Sequence, residues 1–188
     1  AGLNPFQAAG AAWRRGRRGG LLADEMGLGK TAQALRAAPP GVPILVVAPA
    51  AVQGSWRAEA ARWRPDLAVV ALRGRGSFRW PTTGEVVITT WDLLPPRTCG
   101  ATEPRPECAE GHRHSPSCHA LPQACPAGCA LVLDEAHYAK SPTARRTQAA
   151  RAVASAVRAA GGQGWALTGT PVLNRPPELW AVLRLAGL

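Results

Sequence analysis

Two short stretches of this 188-residue chain carry residue types that can handle a phosphate and a metal ion. The first is Gly27-Leu28-Gly29-Lys30-Thr31, reached just after the apolar run Leu21-Leu22-Ala23. Glycines let a backbone turn tightly and aim successive N–H groups at one anion. A helix starting near Lys30 would add the positive end of its dipole. In that frame Lys30 reaches the β- and γ-phosphates of a nucleotide and the Thr31 hydroxyl ligates magnesium. The strict pattern G-x-x-x-x-G-K-[ST] is not met, because Asp24 occupies the first glycine position. The second stretch, Ala-Leu-Val-Leu-Asp134-Glu135-Ala-His137, ends an apolar run on two carboxylates. One carboxylate can hold magnesium opposite Thr31, directly or through water, while its neighbour orients and deprotonates an attacking water. An isolated Asp-Glu pair reads as a solvated strand end; one that follows a phosphate loop in this order reads as its partner.

A third cluster suggests different chemistry. All five cysteines (Cys99, Cys108, Cys118, Cys125, Cys129) and three of the four histidines (His112, His114, His119) fall between positions 99 and 129. Intracellular chains seldom keep disulfides, so such clustering points first to zinc. Cys108, Cys118, Cys125 and Cys129 are the expected ligands, with His112 the first substitute. The spacing lacks a C-x-x-C pair and offers only Cys108-x3-His112 and Cys125-x3-Cys129. The alternative is a loop with free thiols.

Short β-branched runs that alternate with helix-like segments must position these groups. Strands are expected at Gly20–Ala23, Ile44–Ala48, Ala68–Leu72, Val86–Thr89, Leu131–Asp134 and Trp165–Thr168. Helices are expected at Pro5–Arg14, Lys30–Ala37, Ala51–Trp63, Thr143–Ala160 and Pro177–Leu185. The strands are continuously apolar rather than alternating, which suits a sheet covered on both faces. Strand and helix in repetition predict an α/β fold, a parallel sheet with right-handed crossovers and helices on both faces. Ligands then bind beyond the carboxyl ends of the strands, where both motifs fall. Residues 95–129, rich in Pro, Cys, His and Gly, break this rhythm and read as an insertion within a single domain spanning 1–188.

The net charge of +10 invites a polyanionic partner. Only Lys30 and Lys140 are lysines, however, and an arginine-heavy skew can also reflect coding composition. No apolar run approaches the roughly 20 residues needed to span a bilayer, and the N-terminal residues carry no basic-then-apolar signal segment. The expectation is therefore an intracellular protein with no membrane partner, in the cytoplasm or nucleoid of a bacterium or phage or in the nucleus of a eukaryote. Trp56, Trp63 and Trp180 sit at helical spacings and are expected to pack in the core.

Taken together, DEMGLGKT, LDEAH and LTGTPVLNRPPELW resemble the Swi/Snf-type branch of the DEAD/DEAH helicase superfamily. Asp24 in the phosphate loop is the form that branch uses. LNPFQAAGAAW is similar to the segment preceding the loop, and ILVVAPAAVQGSWRAEAARW to the next motif, with Pro49, Trp56 and Glu59 matching. VVITTWDLL resembles the strand and turn that touch the DNA backbone, with Trp91 where Tyr is usual. Leu167-Thr168-Gly169-Thr170-Pro171, Asn174 and Glu178-Leu179-Trp180 match the segment that couples the ATP site to nucleic acid. The resemblance implies a RecA-like P-loop NTPase lobe binding ATP and magnesium through Gln7, Gly27, Leu28, Gly29, Lys30, Thr31, Ala32 and Asp134. Gln7 would lie at the adenine, and Lys30, Asp134 and Glu135 would carry the hydrolysis. It also implies a second RecA-like lobe, absent from these residues, that supplies arginines to the reaction. Duplex DNA is the implied partner, gripped at its phosphates by Ala50–Gln53, Ser55, Thr89–Thr90 and Thr170. Two other readings are a lobe of a strand-separating DNA or RNA helicase, and a non-catalytic nucleic-acid-binding module.

Overall fold

The computed structural model describes residues 2–95, 124–170 and 176–188. Six parallel strands form one sheet in the order β1-β6-β5-β2-β4-β3. They are β1 (Gly19–Leu22), β2 (Ile44–Ala48), β3 (Ala68–Ala71), β4 (Glu85–Thr90), β5 (Ala130–Leu133) and β6 (Gln163–Leu167). The helices are α1 (Pro5–Arg14), α2 (Lys30–Ala37), α3 (Gln53–Trp63), α4 (Arg145–Ala159) and α5 (Pro176–Leu185). Single 3-10 turns at Ala50–Val52 and Ala136–Ala139 precede α3 and follow β5. Every predicted strand and helix is present, with ends displaced by at most two residues.

Side chains of a strand alternate between its faces, so β2 divides the core in two. Ile44, Val46 and Ala48 join Ala34 and Leu35 of α2 and Trp56 and Ala60 of α3. Leu45 and Val47 face Ala149, Ala150, Val153 and Val157 of α4 on the opposite side. The α4 residues recur at three- and four-residue spacing, which puts them on one stripe. Burying each of Val153 and Val157 contributes about 1.5–3 kcal/mol. The inner strands β2 and β5 are buried throughout, as their unbroken apolar sequence requires, while the edge strands β1 and β3 are only partly covered.

Arg64 locks the far end of α2. Its guanidinium donates to the carbonyls of Leu35, Ala38 and Pro39 at 3.1–3.3 Å and pairs with Asp66 at 2.9 Å. Those carbonyls lie at the helix end, where the last acceptors have no helical donor. No helix among the described residues is long and apolar enough to cross a membrane.

Candidate nucleotide site

The strand order explains how two motifs about a hundred residues apart meet. Strand β6 lies between β1 and β5, in register Leu22↔Leu167 and Leu133↔Ala166. The phosphate loop leaves β1, the acidic pair leaves β5, and Thr168-Gly169-Thr170 leaves β6 between them, all at the carboxyl edge of the sheet.

Gly27 and Gly29 hold φ of 84° and 75°, the left-handed region that side chains disfavour. Gly29 caps the start of α2, so the amides of Lys30 and Thr31 open that helix. A Cβ on Gly29 would meet Gln7 Nε2 and would be strained by the positive φ, so a side chain there would displace Gln7 from the loop. Gln7 holds the loop from α1: its Nε2 donates to the Leu28 carbonyl at 3.2 Å, while its Oε1 accepts from the Asn4 amide at 3.0 Å. Lys30 Nζ donates to the carbonyls of Asp24 and Glu25 at 2.7 and 2.9 Å, inside the loop. Both acceptors are neutral, so the ammonium charge is still available to an anion. The Asp24 carboxylate accepts from Gln33 Nε2 of α2 at 3.0 Å.

Asp134 lies at the end of β5, its amide donating to the Val47 carbonyl at 2.8 Å. Its Oδ1 accepts from the Glu135 amide at 3.0 Å and its Oδ2 from the Trp56 indole at 2.7 Å. Burial lifts its pKa above the ordinary carboxylate value, opposed by these donors and by the charges of Lys30 and His137. Glu135 is left-handed at φ 48°, the only non-glycine residue with positive φ among those described. Such conformations cost about 1–3 kcal/mol and persist where the surroundings impose them, often at functional sites. His137 stands between Glu135 and β6: its Nδ1 lies 3.1 Å from Glu135 Oε2 and 3.3 Å from Thr168 Oγ1. Thr168 Oγ1 also accepts from the Thr170 amide at 3.1 Å. Gly169 closes on the phosphate loop, where a Cβ would meet Met26 Cγ at 2.9 Å. A glycine-lined loop, a lysine without an acidic partner and a carboxylate with free lone pairs fit a nucleotide with its magnesium ion.

Several expectations need correction. Thr89 is fully buried and Thr90 nearly so, because β4 runs on to Thr90 beside Ala48; they are not open surface for DNA. Ala50, Ser55 and Thr170 are exposed. Trp91, at the end of the segment matched to a DNA-touching strand and turn, is buried, its indole donating to the Asp134 carbonyl at 3.1 Å. Trp180, expected in the core, is 56% exposed and lies beneath Arg184. Trp56 does pack in the core, but its hydrogen bond to Asp134 was not anticipated. The missed signal was general: a buried indole N–H needs an acceptor. Of the expected zinc ligands, Cys125 and Cys129 are described; their thiols donate to the carbonyls of Pro126 and Ala130, and the neighbouring Cys125 thiol together with burial pushes the Cys129 thiol well above its usual range. Cys99, Cys108, His112, His114, Cys118 and His119 lie outside the described residues, as do Pro171 and Asn174.

Residues 6–188 match the family model described as SNF2-related domain. The chain is 30% identical over 187 residues to the DNA excision repair protein ERCC-6-like of Danio rerio, covering 93% of this chain and 11% of that protein. It is 31% identical over 186 residues to the SWI/SNF-related matrix-associated actin-dependent regulator of chromatin subfamily A-like protein 1 of Bos taurus, covering 95% of this chain and 17% of that protein. Among solved structures, it resembles the Sulfolobus solfataricus SWI2/SNF2 ATPase core in complex with dsDNA. There the TM-score is 0.67 at 25% identity, over 99% of this chain and 36% of that one. The chain thus spans a minor part of each of these proteins.

Proposed function

The chain belongs to the SNF2-related domain family, and from that premise we propose that it is the ATP-binding lobe of a DNA-dependent ATPase that moves along duplex DNA. The observation that carries this reading is the convergence of Lys30, Asp134 and Glu135 at one edge of the sheet, with His137 reaching from Glu135 to Thr168. Lys30 exchanges its two carbonyl acceptors for the β- and γ-phosphates. Gln7, already on the loop, takes the adenine side, and the amides from Gly27 to Ala32 surround the phosphates. Thr31 and Asp134 would hold magnesium, which neutralises phosphate charge when bound. Glu135 orients and deprotonates the water, and His137 relays its position to the Thr168–Thr170 segment. Ala50, Ser55 and Thr170 are the exposed candidates for contact with DNA phosphates, which would position the strand without reading sequence.

Calorimetric titration with ATP and magnesium tests the site. The wild-type chain is expected to bind, and Lys30→Ala to lose at least about tenfold in affinity, as expected when a charged hydrogen bond of 1.5–3 kcal/mol is removed. Equal binding by both would overturn the assignment. Duplex DNA is expected to stimulate hydrolysis by the two-lobed protein, and stimulation by RNA alone would favour an RNA helicase. Zinc at Cys108, Cys118, Cys125 and Cys129 belongs to the same proposal, supported by the adjacent thiols of Cys125 and Cys129; elemental analysis of the reduced protein tests it.

A further inference from the structure

Asp134 is held from both faces of the sheet by tryptophan. Trp56, on α3, belongs to the core layer shared with α2, and its indole N–H meets Asp134 Oδ2 at 2.7 Å. Trp91, just past β4, belongs to the opposite layer, and its indole N–H meets the main-chain oxygen of the same residue at 3.1 Å. Each is 2% exposed. We propose that Trp56 and Trp91 are positioning residues that clamp Asp134 from the two core layers and thereby set how tightly the site holds magnesium with its nucleotide. The clamp rests on the proposed nucleotide site, in which Asp134 is the metal-holding carboxylate.

Three properties of the indole suit this work. It donates and never accepts, so its hydrogen bond cannot reverse when a cation arrives. Its ring is wedged among apolar neighbours on either side of the sheet, so the donor has little freedom to follow a displaced oxygen. It also takes only part of what the carboxylate offers. An ionised carboxyl presents about four lone-pair sites; the Glu135 amide uses one and the Trp56 indole another, leaving room for a metal. Trp91 fixes the backbone from which that carboxyl hangs. Groups that orient a metal ligand in this way typically govern affinity by about 10–100-fold.

The test compares nucleotide affinity with magnesium and with chelator in wild type, Trp56→Phe, Asp134→Asn and the double variant, with melting curves to verify folding. Trp56→Phe is expected to remove about 10–100-fold of the magnesium-dependent affinity while leaving binding in chelator unchanged. In the Asp134→Asn background the same change should have no further effect. If Trp56→Phe does not fold, Trp91→Phe carries the test, with an expected loss of roughly 2–10-fold for one neutral hydrogen bond. An unchanged magnesium dependence in the folded variant overturns the clamp and spares the nucleotide site. A wild-type chain indifferent to magnesium overturns the site and the clamp together.

Discussion

At the scale of single residues the two members of the acidic pair differ in environment. Asp134 is partly buried and doubly hydrogen-bonded, so its carboxyl is aimed. Glu135 sits in a left-handed backbone that points its side chain toward His137. That conformation costs an L-residue roughly 1–2 kcal/mol and costs glycine almost nothing. Glu135→Gly is therefore expected to be more stable than Glu135→Ala by about 1 kcal/mol, although both lose the carboxylate. Denaturant melts of the two variants measure this, and equal midpoints would mean the backbone there is not strained. Glu135 was legible as a candidate for activating water from its place beside Asp134. Its strained backbone was not readable, since no residue type in DEAH requires a positive φ.

Among the elements, two ion placements have opposite consequences. Arg79, at 2.7 Å, and the Thr82 amide hold the Glu85 carboxyl at the start of β4 down at about 2. A depressed acid stabilises the fold fully above its ordinary value of 4.5 and loses that contribution as pH falls toward 2. Glu85→Gln should flatten the stability profile across that interval, as acid titrations followed by circular dichroism would reveal. Arg14 of α1 is fully buried over the Trp165 ring at 4.3 Å, and its guanidinium nitrogens have no hydrogen-bond partner. Burial pulls it down to about 9, against the nearby charge of Asp24. A buried, unpaired cation costs more than one ring stack returns. Arg14→Met is expected to raise the melting midpoint by about 2–4 °C, corresponding to about 1 kcal/mol. A lower midpoint would show that the contact with Trp165 and the field of Asp24 outweigh the desolvation.

For the whole molecule, the proposed function makes the contribution of a second lobe the quantity to measure. Arginines supplied across a nucleotide by a partner typically contribute about 10³–10⁵ in rate. The chain taken alone should bind ATP but turn it over hardly at all, even with duplex DNA. Joining it to a second RecA-like lobe should restore DNA-stimulated hydrolysis, and phosphate-release assays on both forms test this. Vigorous DNA-stimulated turnover by the 188 residues alone would mean that they hold a complete catalytic set.

The order and type of the elements were set by the sequence alone, because a sheet covered on both faces requires unbroken apolar strands and each crossover an apolar helical stripe. Gly27–Thr31 and Asp134–Glu135 stood out as a candidate site for a similar reason: phosphate and metal binding demand particular residue types at fixed local spacings. The tertiary structure decided which distant groups meet. It put β6 between β1 and β5, buried Thr89, left Trp180 outside and brought two indoles onto Asp134. Such contacts depend on strand order and on the face each side chain occupies, quantities that no local spacing encodes.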